Sequence, residues 1–197
     1  MNKSKFSTKY LVELALLTAI ILLMAFTPIG YIKTAGLEIT LIVVPVAVGA
    51  VILGPTGGAI LGGVFGITSF IQCFGMSQFG SILLGINPFL TFLVCVPTRI
   101  LEGWLTGLIF KGLCKTKLPK AASVTIANLC CPLLNTAFFM GSLVTLFAGT
   151  MREMFGMTKV IPFIVAFVGI NGVIEAVVCF VLGAAISGAL RKALRNN

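Results

Sequence analysis

Apolar and polar positions divide the chain into six apolar runs, at residues 10–26, 39–53, 57–74, 87–113, 121–148 and 160–190, separated by short polar or glycine- and proline-rich breaks. A helix rises about 1.5 Å per residue, so roughly 20 apolar residues cross the hydrocarbon of a bilayer. The last three runs exceed that length, which predicts tilt or extension past the hydrocarbon. The expected fold class is all-α: a polytopic membrane protein with six transmembrane helices in one bundle, residues 1–197 forming a single membrane-embedded domain. A tight turn at Gly54 and Pro55 joins the second and third runs, and Pro45 predicts a kink near Val44. Turn formers and β-branched residues fill 27–40, which reads as a short ordered loop or small hairpin. Residues 75–85 read as an uncharged loop leading into Asn87 and Pro88.

Composition agrees with this pattern. Of 197 residues, 58% are hydrophobic and 10% charged, against about 25% charged in soluble domains. The net charge of +9 raises the question of nucleic acid, but the charges sit beside the ends of the runs. Lys3, Lys5 and Lys9 precede the first run, Lys111, Lys115, Lys117 and Lys120 lie between the fourth and fifth, and Arg191, Lys192 and Arg195 follow the last. Lys33, Arg152 and Lys159 occupy the other side. Such asymmetry sets orientation in a membrane and predicts a cell-membrane protein with both termini cytoplasmic. No aromatic-interleaved basic face for nucleic acid appears. The first run is expected to stay as a span, since no small-residue cleavage site leads into a soluble chain.

Chemistry is sparse. The chain has no histidine, and its six cysteines show no C-x-x-C spacing, so zinc, haem or another cofactor is not expected. There is no phosphate loop with its Gly-Lys-Ser/Thr, and a serine or cysteine hydrolase would lack its base. An enzyme is not expected. The polar residues within the runs matter more. Arg99 and Glu102 lie in the middle of 87–113, where an ionised side chain costs about 2.5–3.5 kcal/mol and must face protein or water. Three residues apart, they share one helical face. They form either a self-neutralising pair that locks packing or the polar wall of a solute cavity.

Asn128 and Asn135 lie on one stripe of the fifth run, and Asn171 and Glu175 on one stripe of the sixth. Counted from the run ends, Arg99, Asn135 and Asn171 fall near mid-depth, and Glu102, Asn128 and Glu175 about a turn deeper. Gln72 and Asn87 stand at the outer ends of their runs. The candidate substrate-binding residues are therefore Arg99, Asn135, Asn171, Glu175, Gln72 and Asn87. Gly58, Gly62 and Gly66 form a stripe suited to close helix contact, and Ala15 and Ala19 form a smaller one on the first run.

With these residues in view, the chain resembles the substrate-binding S components of energy-coupling factor (ECF) vitamin transporters. Ala15 and Ala19 match the family's A-x-x-x-A motif. Pro45, Gly49, Leu53, Gly54, Pro55, Gly58, Ala59 and Gly62 match its P-x-x-x-G-x-x-x-L-G-P-x-x-G-A-x-x-G region. The resemblance implies capture of a water-soluble vitamin from outside, with a membrane coupling subunit and two cytoplasmic ATPase subunits supplying the work. It also implies that Ala15 and Ala19 dock the coupling subunit. Among vitamins the matched branch includes pantothenate, riboflavin and folate. An arginine for a carboxylate and asparagines for amide and hydroxyl groups favour pantothenate. Two other classes stay open: a stand-alone ion-coupled carrier using Glu102 and Glu175, and a non-transporting membrane assembly subunit.

Overall fold

The computed structural model describes residues 7–27, 30–34, 37–149, 153, 172–183 and 185. Helix α1 (Thr8–Ala25) starts where the Ser7 side chain accepts the Tyr10 N–H at 3.2 Å. A two-stranded antiparallel hairpin follows, β1 (Tyr31–Thr34) and β2 (Leu37–Thr40), with Tyr31 opposite Thr40. This hairpin, allowed for within residues 27–40, is the exception to an all-α fold among the described residues.

Helix α2 (Val43–Gln72) breaks at Gly54, whose φ of 77° and ψ of −169° are not helical. Here the chain doubles back. A Cβ built on Gly49 would lie 2.0 Å from Leu61 Cδ1, and one on Gly58 would lie 2.9 Å from Ala50 Cβ. A straight helix would hold residues twelve apart about 18 Å from each other. So α2 is a helical hairpin of two arms, 43–53 and 55–72, as the turn at Gly54 and Pro55 predicts. Pro45 causes no kink at Val44. It lies in the first turn of the first arm, where a missing N–H breaks no helical bond.

The first arm is apolar on every side, and Val43 to Val51 are all buried. A helix of that composition belongs inside a bundle. Leu17, Ile21 and Ala25 of α1 and Leu61 and Phe65 of the second arm share its core.

Residues 75–85 are not simply a loop. They include most of α3 (Gln78–Ile86), which Ser77 caps by accepting the Gly80 N–H at 3.3 Å. The Ser81 hydroxyl ties α3 to the Cys73 carbonyl at 2.9 Å. Helix α4 (Pro88–Leu113) and helix α5 (Lys120–Leu146) follow. The last described element is α6 (Val173–Val178), continued by a π-helical turn at Cys179–Gly183. Helices α1, α2, α4 and α5 are long and apolar enough to cross a membrane.

Glycine brings α2 and α4 into backbone contact. A Cβ on Gly58 would lie 2.2 Å from the Gly103 carbonyl oxygen, and one on Gly62 would lie 2.1 Å from that of Arg99. One on Gly66 would lie 2.8 Å from Val96 Cα. As α2 numbers rise the α4 numbers fall, so the two helices are antiparallel. The seam fixes the height of Arg99 against α2.

Candidate functional site

Arg99 is buried, with 6% of its surface exposed. Long side chains on a helix lean toward its N-terminus, and the guanidinium reaches back along α4. Its Nη1 donates to the Val94 carbonyl at 2.9 Å and to Thr98 Oγ1 at 3.3 Å. Pro97 has no N–H to offer the Leu93 carbonyl one turn back, but the acceptor Arg99 uses is that of Val94, one residue on. Phe65 of α2 and Phe139 of α5 flank the guanidinium, their ring centroids 5.1 Å and 5.0 Å from Cζ. Among the described residues, buried Nε has no hydrogen-bond partner.

Neither nearby carboxylate bonds to it. Glu102 is fully buried; its Oε1 accepts from the Cys131 thiol at 3.2 Å and its Oε2 has no partner among the described residues. Glu175 accepts the Thr40 backbone N–H on Oε1 at 2.8 Å and the Asn135 Nδ2–H on Oε2 at 3.4 Å. Arg99 is within electrostatic reach of both acids, yet it forms no direct pair with either. The self-neutralising Arg99–Glu102 pair is therefore not the arrangement found. Each flanking ring contributes up to about 2 kcal/mol to a desolvated cation, while burying an ion costs several kcal/mol. The rings hold the guanidinium without neutralising it.

Glu175 is level with Asn135 rather than a turn deeper. Counting from run ends misplaced it, because helix register is set by packing. Asn135 faces Glu175, and seven residues earlier on α5 Asn128 faces Gly183, where a Cβ would lie 3.2 Å from Asn128 Cγ. The segments thus run antiparallel, and through Thr40 the hairpin closes over the Glu175 level.

The remaining sequence candidates are more dispersed. Gln72 lies two turns from Phe65 on α2, and its Nε2 donates to the Ala25 carbonyl at the end of α1. Asn87 caps α4, its Oδ1 accepting the Leu90 N–H at 3.1 Å. Asn171 lies outside the described residues. Ala15 and Ala19 are exposed on α1, opposite the buried Leu17, Ile21 and Ala25. Sequence reasoning missed Phe65, Phe139 and Thr40. Phe139 carried a signal, being four residues from Asn135 and so on its face.

In chemical terms the site offers a cation with no directly bonded carboxylate among the described residues, beside an amide and a carboxylate, which suits an anion that also carries hydrogen-bonding groups. Among the described residues no group of three His, Cys, Asp or Glu could hold a metal ion.

Comparison with known proteins bears on this geometry. The chain is 35% identical over 115 residues to a curated protein of Leuconostoc mesenteroides subsp. mesenteroides named "Pantothenate transporter PanT". The alignment covers 56% of this chain and 54% of that protein, so the chain spans about half the length of the curated relative it matches. Residues 9–187 match the family model described as "ECF transporter, substrate-specific component". That span takes in all of α1 but Thr8, the α2–α4 seam and every residue around Arg99, and the chain belongs to the family of substrate-specific components of ECF transporters.

Proposed function

We propose that this S component captures pantothenate from outside the cell and that Arg99 receives its carboxylate. The observation that carries the reading is a buried arginine held by aromatic rings and its own helix, with no carboxylate bonded to it among the described residues. The name of the Leuconostoc relative supports the choice of vitamin. Asn135 and Asn171 would serve the amide and hydroxyl groups, with Glu175 as an acceptor between Asn135 and the hairpin. Gln72 and Asn87 enter as positioning side chains, since one joins α1 to α2 and the other starts α4.

The bundle has six crossings and forms one domain, with both termini cytoplasmic. The two-armed α2 supports this count, because its break at Gly54 divides it between the second and third apolar runs. A membrane coupling subunit and two ATPase subunits drive uptake, and the exposed face of α1 around Ala15 and Ala19 meets the coupling subunit.

Titration of the purified protein with pantothenate tests the ligand and the role of Arg99 together. Arg99→Ala should weaken binding more than about tenfold, equivalent to 1.4 kcal/mol. A wild type that binds no pantothenate, or an Arg99→Ala affinity within about a factor of two of wild type, overturns the reading.

A further inference from the structure

Arg99 reaches its place by an unusual route for a buried cation. Its hydrogen bonds go to its own helix, and its lateral contacts are aromatic rings from two other helices. A carboxylate beside it would give similar burial and more attraction, but would also spend the charge. Rings hold a guanidinium through the quadrupole of their faces and leave its N–H edge free to donate. Nε, one of the donors not bonded to α4, lies on that edge.

We propose that Phe65 and Phe139 are positioning residues that make the site selective for a carboxylate, by orienting Arg99 without neutralising it. The proposal rests on the reading of Arg99 given above and adds the residues that set its specificity. Phe65 is wholly buried among α1 and α2 core residues, whereas Phe139 is only partly buried. Phe139 is therefore the position to vary.

The full-length S component is titrated with pantothenate and with pantothenol, which carries an uncharged hydroxymethyl group where pantothenate has its carboxylate. Wild type should bind the acid more tightly. Phe139→Leu should weaken acid binding at least about fivefold with much less effect on the alcohol, and Phe139→Tyr should restore the preference. Progressively fluorinated phenylalanine at 139 keeps the ring's shape while draining charge from its face, so it serves even where leucine perturbs folding. The acid-to-alcohol preference should fall stepwise with fluorination.

A preference that stays constant along the fluorinated series, while Arg99→Ala abolishes it, removes the role of the rings and leaves that of Arg99 intact. Equal losses for acid and alcohol along the series likewise make Phe139 a packing residue. A wild type with no preference for the acid overturns both readings at once.

Discussion

Two faces of α4 solve opposite problems. Toward α2 the helix presents Gly103, Gly107 and the bare carbonyl of Arg99, and the backbones meet with no side chain between them. Away from that seam it presents Arg99 and Glu102, and its contacts run through a guanidinium, the rings of Phe65 on α2 and Phe139 on α5, and the Cys131 thiol. In lipid the hydrophobic effect does not drive helices together, so close van der Waals contact must supply much of the affinity between them. The glycine seam provides that contact and holds α4 still. The polar face can then carry a charge with no directly bonded counter-ion among the described residues, because the position of Arg99 is set by its own helix and two rings.

The strongest way to break this division is to push the seam apart. In Gly62→Ala the new methyl would sit 2.1 Å from the Arg99 carbonyl oxygen, so the helices must separate. Overpacking of this kind costs about 1–3 kcal/mol or more. The variant should melt at a clearly lower temperature in detergent and also lose ligand affinity. Gly112→Ala, with nothing within 4 Å of the added methyl, is the control and should be neutral or slightly stabilising. Equal melting temperatures for the two variants would show that the seam does not carry the contact energy.

A smaller effect is expected on the polar face. Glu175→Ala leaves the Thr40 N–H and the Asn135 amide without their acceptor, and an unmet buried donor costs about 1–3 kcal/mol. Hydrogen exchange at the Thr40 amide should accelerate, whereas Glu175→Gln keeps an acceptor oxygen and most of the protection. Unchanged exchange in the alanine variant would exclude Glu175 as the anchor of the hairpin.

The smallest effect on the fold should come from α1. Ala15→Trp alters an exposed position and should leave melting and pantothenate affinity unchanged while blocking co-purification of a coupling subunit. Intact co-purification would remove the docking role.

Much of this division was legible in the sequence. The Gly58, Gly62 and Gly66 stripe announces close contact, Gly54 and Pro55 announce the reversal, and Arg99 within an apolar run announces a site. The partner of Arg99 was not legible. Helical spacing puts Glu102 on the same face, but spacing says nothing of direction along the axis. Arg99 leans back toward Val94, while Glu102 meets Cys131. Nor did the sequence single out two aromatic neighbours among 16 phenylalanines, because only tertiary register brings positions 65 and 139 to the same place. The level of Glu175 escaped for the same reason, and α3 escaped because its stop signal, Asn87 and Pro88, also begins α4.

The bend at Gly54 has a stereochemical consequence. Its φ of 77° and ψ of −169° fall in a region left almost entirely to glycine among natural residues. The site is nevertheless roomy, with no atom within 4 Å of an added methyl. The mirror image of these angles is close to polyproline backbone, which is comfortable for an ordinary residue. A D-alanine placed there by chemical synthesis would thus fit where its L-enantiomer is strained, so the joint selects by handedness and not by bulk.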